Sequence, residues 1–71
     1  MPSKVNFAEN LRNARIAAGL TSTQLAQKSG FFCSVISRFE HGHNEPNLTN
    51  LVKLCKALGC SADVLLGIKK P

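Results

Sequence analysis

Apolar residues fall in short periodic runs separated by glycine and proline. Gly19, Gly30, Gly42, Pro46, Gly59 and Gly67 divide the chain into segments of helix length rather than strand length. In the first segment Phe7, Leu11, Ala14 and Ala18 recur at helical spacing, which predicts an amphipathic helix over residues 6–18. Asn6 with Glu9 three residues later is its candidate cap, Ser3 is a rival, and Gly19 stops it. Thr21-Ser22-Thr23-Gln24 reads as a capping box opening a second, short helix that turns Leu25 and Ala26 inward and ends at Ser29-Gly30. A third helix is predicted over residues 33–41, with Val35, Ile36 and Phe39 on its apolar side. After the polar loop His43-Asn44-Glu45-Pro46, Asn47 caps a fourth helix. Its expected buried stripe is Leu48, Leu51, Val52, Cys55 and Leu58, widened by Leu54, with Lys53 and Lys56 opposite. A last short helix starts at Ser61, carries Asp63 in its first turn, buries Val64, Leu65 and Leu66, and ends at Gly67.

The pattern predicts an all-α fold, a compact five-helix bundle. Alternating β-branched runs are missing, and so are Trp and Tyr. At 71 residues the chain is expected to be one domain, with its core at about 6–67 and short tails at 1–5 and 68–71. Apolar residues make up 44%, enough for a small core, and no apolar run approaches the roughly 18 residues of a membrane span. The opening MPSKVNF lacks the apolar stretch of a secretory leader, so a cytoplasmic location away from any membrane is expected.

Charge narrows the partners. A net charge of +5 and a pI near 9.6 attract polyanions, nucleic acid first and an anionic membrane surface second. The same charge is also ordinary for a small soluble domain. No Lys/Arg block exceeds Lys69-Lys70, so there is no basic tail.

Side-chain chemistry gives little reason to expect an enzyme. There is no Ser/His/Asp arrangement, no Gly-rich phosphate loop and no pair of carboxylates at working distance. Cys33 and His41 lie eight residues apart on one helix, about 12 Å along its axis, too far for proton transfer. A zinc site would draw on Cys33, Cys55, Cys60, His41 and His43, but no C-x-x-C is present, so neither metal nor cofactor is expected. The three cysteines match no disulfide framework. Cys55 and Cys60 read as small core hydrophobes. Redox sensing by Cys33 would require its exposure.

The informative feature is the pair of short helices around Gly30. Two helices joined by a tight turn containing Gly have the spacing of a helix-turn-helix, whose second helix fits a DNA major groove about 12 Å wide. The start of the first helix of the pair points amides at a phosphate, with Thr21 and Ser22 hydroxyls beside them.

The run LTSTQLAQKSGFFCSVISRFEHGHNEP, residues 20–46, resembles the Cro/C1-type (lambda repressor-like, XRE) helix-turn-helix family. Arg15, Leu25-Ala26, Gly30, Ile36-Ser37-Arg38, Glu40, Gly42 and Pro46 carry the likeness, and LVKLCKALGCSADVLLG extends it to residues 7–67. The resemblance implies a five-helix bundle that binds double-stranded operator DNA as a homodimer in a bacterial or phage setting, associated with the nucleoid. It implies a salt bridge between Arg15 and Glu40. It places Phe32, Cys33, Ser34, Ser37 and Arg38 toward bases, and Thr21, Ser22, His41, His43 and Asn44 toward phosphates. Arg38 is the leading contact, since a guanidinium forks onto guanine or phosphate. Phe32 and Cys33 suit thymine methyl groups. Each histidine is equally readable as a solvated loop residue or helix-end cation.

Three positions depart from the family. Ser22 stands where Gln is usual, Phe32 where Ser or Thr is usual, and Cys33 where a long polar side chain is frequent. Phe31 is expected in the core, leaving Phe32 either exposed or a second anchor. Two functions follow: a minimal repressor of Cro-like, controller-like or antitoxin-type design, or a modulator that docks a partner regulator protein through an apolar patch at Phe32. The dimer surface is expected at the loop before the fourth helix, the last helix and the tail.

Overall fold

The computed structural model describes residues 6–67. Its elements are α1 (Phe7–Ala17), α2 (Ser22–Ser29), α3 (Cys33–Glu40), α4 (Leu48–Leu58) and α5 (Ala62–Leu66), with no strand among the described residues. This is an all-helical bundle of the helix-turn-helix kind. The expected tails at 1–5 and 68–71, with the rival cap Ser3, lie outside the described residues.

The caps follow the sequence. Asn6 accepts from the Glu9 amide at 3.2 Å and donates through its own amide to the Glu9 carboxylate at 2.9 Å. Thr21 Oγ1 accepts from the Gln24 amide at 3.1 Å, and Gln24 Oε1 accepts from the Thr21 amide at 2.8 Å, a complete capping box. Asn47 caps α4 by accepting from the Asn50 amide at 2.8 Å. Two helix starts lack a side-chain cap: Phe32 on α3 and Ser61 on α5.

Packing closes a ring. α1 lies against α3, α3 against α2, α2 against α4, α4 against α5, and α5 against α1. Each helix sends one fully buried aliphatic side chain to the centre: Leu11, Leu25, Ile36, Leu54 and Leu65. Phe39 meets Phe7 and Phe31 edge-on, with ring centres 6.3 and 5.8 Å away. Phe31 is half-buried against the core, with the Lys53 ammonium 5.8 Å from its ring centre.

Several expectations need correction. Leu48 and Val52 do not belong to the buried stripe of α4; they are 81% and 50% exposed. Leu51, Leu54, Cys55 and Leu58 hold the inward register, and residues 48 and 52, four apart, share a different side of the helix. Ala18 is exposed as the C-cap of α1. In α5 only Leu65 is fully enclosed, while Val64 and Leu66 are half-buried, because five residues make little more than one turn.

Candidate nucleic-acid interface

The turn between α2 and α3 is set by Gly30, at φ +80°, which ends α2 in the left-handed conformation that glycine adopts without strain. The Gly30 and Phe31 amides both donate to the Ala26 carbonyl, at 2.9 and 3.0 Å, so the chain reverses within one turn. Ser29 Oγ donates to the Leu25 carbonyl at 2.7 Å, which satisfies a buried hydroxyl at the corner.

α3 has two sides with separate duties. Ile36, Phe39 and Glu40 are buried. Phe32 at its start, then Cys33, Ser34, Ser37 and Arg38, are all exposed and share the outer side. Phe32 is 79% exposed, so of the two alternatives for this ring it is an outward residue and no anchor. Thr21, His41, His43 and Asn44 are exposed and Ser22 is half-buried. Of the ten sequence-derived contact residues, direct contacts join Ser37 to His41, His41 to His43 and Arg38 to Asn44.

Behind α3 sits an ion pair. Arg15 Nε lies 2.6 Å from Glu40 Oε2 and Arg15 Nη2 lies 3.3 Å from Glu40 Oε1, a bidentate arrangement. The side chains are 16% and 7% exposed. Arg15 Nη1 also donates to the Leu20 carbonyl at 3.0 Å, which binds the α1–α2 connection into the same unit. Arg12 Nη2 donates to the Glu40 carbonyl at 2.8 Å. Arg12 escaped the sequence reading. Its signal is positional: three residues before Arg15, it occupies the same face of α1.

Three further contacts tune the outer surface. Cys33 Sγ lies 3.6 Å from Thr23 Oγ1, linking the starts of α2 and α3. With the Asn44 amide oriented to satisfy both its groups, its oxygen accepts from Arg38 Nε at 3.1 Å and its nitrogen donates to the His43 carbonyl at 2.8 Å. The loop thereby aims the guanidinium. His41 Nδ1 is 2.7 Å from the Ser37 carbonyl, which only accepts, so Nδ1 carries the proton. The His41 and His43 rings stack with centres 6.4 Å apart.

Electrostatics favour an anionic partner here. Residues 21–39 contain Lys28 and Arg38 and no acidic side chain. Glu40, the next acid, is turned inward and paired. No group of three or more His, Cys, Asp or Glu that could hold a metal forms among the described residues, and no helix there is long and apolar enough to cross a membrane.

A braced helix with a polar outer side, presented by a glycine turn, defines the helix-turn-helix class. The chain belongs to the helix-turn-helix family (HTH_3), of the Cro/C1 type: the family model described as "Helix-turn-helix" matches residues 11–65. It is 37% identical over 63 residues to the cryptic phage CTXphi transcriptional repressor RstR of Vibrio cholerae, covering 89% of this chain and 56% of that protein. The chain thus spans about half the length of the curated relatives it matches. The restriction-modification controller protein C.AhdI of Aeromonas hydrophila is 36% identical, with a TM-score of 0.81 over 86% of this chain and 92% of that one. The P22 c2 repressor in complex with a synthetic operator is 37% identical, with a TM-score of 0.77 over 84% of this chain and 91% of that one.

Proposed function

We propose that this protein is a sequence-specific regulator of transcription that binds operator DNA as a homodimer. The observation that carries the reading is the free outer side of α3, from Phe32 to Arg38, held rigidly by the Arg15–Glu40 pair behind it. A matching repressor, P22 c2, was solved on its operator, and RstR is named a transcriptional repressor. Regulation of this kind requires no bond-making: occupancy of a promoter-proximal site alters access of polymerase.

In the proposed complex α3 enters the major groove. Arg38, aimed by Asn44, forks onto guanine or a phosphate, Ser34 and Ser37 supply short hydroxyls, and Phe32 and Cys33 meet thymine methyl groups. Thr21, Ser22, His41, His43 and Asn44 flank the groove at phosphate level, fixing register without reading sequence.

One copy of a domain this size reads too few base pairs for useful discrimination, and two copies on a two-fold axis place their recognition helices about 34 Å apart. Leu48 and Val52 support that assembly. They are exposed apolar residues four apart on one side of α4. An exposed apolar pair of this kind suits the self-complementary contact of a two-fold dimer.

The test is selection of bound oligonucleotides from a random pool at two salt concentrations, with Arg38→Ala in parallel. A palindromic consensus, with affinity that falls steeply as salt rises, is the expected result. Arg38→Ala is expected to weaken binding across all sequences. Retention of no DNA at low salt, or capture through Phe32 of a partner protein in place of DNA, would overturn the reading.

A further inference from the structure

The end of α4 brings two cysteines together for a backbone reason. Gly59, at φ +69°, terminates the helix in the left-handed conformation, and the Cys60 amide then donates back to the Cys55 carbonyl at 3.1 Å. This is a Schellman closure, in which the residue just past the glycine returns over the one five positions earlier, the register in which side chains at these two positions commonly pack together. Here both are thiols, and each influences the other's titration. Both are half-buried, free of disulfide, and packed against the core edge. Beside Cys60 opens an apolar hollow of about 340 Å³ lined by Ala14, Ala17, Ala18, Leu58, Gly59 and Val64.

We propose that Cys55 and Cys60 form a dithiol capture site for a trivalent arsenical, whose apolar substituent lies in the adjoining hollow between α1 and α5.

The chemistry fits on three counts. Neighbouring thiols are soft ligands, and no third His, Cys, Asp or Glu joins them among the described residues to complete a tetrahedral zinc or iron site. Trivalent arsenic is pyramidal and holds two sulfurs side by side, leaving its third position for a carbon substituent. Burial keeps both sulfurs protonated at neutral pH, which slows attack on peroxides through a thiolate. Condensation with an arsonous acid instead brings its own leaving groups. Two As–O bonds break and two As–S bonds form. Each hydroxide leaves as water with one thiol proton, and arsenic stays trivalent, so no oxidant is consumed.

The site lies at the α1–α4–α5 corner, away from the outer side of α3, and is independent of the DNA-binding reading. It is tested on the full chain with phenylarsine oxide. One adduct per chain is expected, with titratable thiols falling from three to one. Fragment mass mapping should place arsenic across residues 55–60. Cys33→Ser should leave capture intact, while Cys55→Ser or Cys60→Ser should weaken it about a hundredfold by reducing two-point to one-point attachment. Circular dichroism verifies that each variant keeps its helices, and for any that does not, mapping on the unaltered chain decides. The folded chain should also bind about tenfold more tightly than the same chain in denaturant, because folding has already closed the loop. Arsenic mapped to Cys33, undiminished capture by either single-serine variant, or equal affinity for the unfolded chain would overturn the proposal.

Discussion

Arg15 and Glu40 meet 2.6 Å apart across 25 residues of sequence, and they do so directly behind the helix whose outer side is free. Removing one partner leaves the other charge largely enclosed without its counter-ion. Glu40→Ala is therefore expected to destabilise the fold by about 3 kcal/mol, read as a lower urea midpoint at unchanged slope. Replacing both residues with apolar ones of similar size, as in Arg15→Met with Glu40→Leu, should cost much less, since no orphaned charge remains. A double replacement as damaging as the single one would show that the pair itself supplies the stability.

The start of α3 is a site where stability and recognition pull apart. Phe32 occupies the N-cap with extended backbone, φ −76° and ψ 151°, and offers no side-chain acceptor. Its ring is mostly in solvent, so little packing is lost on removal. Phe32→Ser should stabilise the protein by about 1 kcal/mol through a new cap hydrogen bond. The same change should reduce any preference for thymine at the base facing residue 32. Thermal melts and competition binding on thymine and uracil oligonucleotides check the two signs separately.

Much of this was legible in the sequence because the signals were local. Thr21 and Gln24, three apart, announce the capping box, and Gly30 announces the reversal that follows. The bidentate Arg15–Glu40 contact, by contrast, was accessible only through family likeness, because nothing local in either helix names its partner. The side of α4 bearing Leu48 and Val52 was misread for a related reason. Apolar periodicity gives a helix its stripe, but an exposed apolar pair at helical spacing looks the same in sequence as a buried one, and only the ring of neighbours separates them. The Asn44–Arg38 link depends on loop geometry that no spacing rule supplies.

If Leu48 and Val52 cover one another across a two-fold axis, charge placed there should separate the copies without unfolding them. Leu48→Lys with Val52→Lys is expected to sediment as a monomer, to keep its helical circular dichroism, and to bind a full palindrome no better than a half-site. Because both positions face solvent in the single copy, monomer stability should change by less than about 0.5 kcal/mol. A dimer that survives the double substitution would move the interface elsewhere.

Alkaline pH supplies a further test of the thiol corner. Burial raises Cys55 above the ordinary 9.0, offset in part by the Cys60 thiol. Burial also raises Cys60, and the Cys55 charge and hydrogen bond add to that shift. The unfolded chain therefore loses these protons first. Stability is full below the ordinary value and falls as pH rises through the folded one. Urea midpoints should decline above pH 9.0, and Cys55→Ser with Cys60→Ser should flatten the decline. A slope unaffected by the serines would assign the alkaline loss to other groups.

The two-sidedness of α3 has a wider consequence. Ile36, Phe39 and Glu40 are committed to the body, whereas Phe32, Cys33, Ser34, Ser37 and Arg38 hold almost none of it together. Mutation can rewrite those five letters without disturbing the scaffold that displays them. On the proposed DNA-binding reading, a lineage built on this architecture drifts to new addresses in a genome as fast as its outward letters change, with the folding problem already solved.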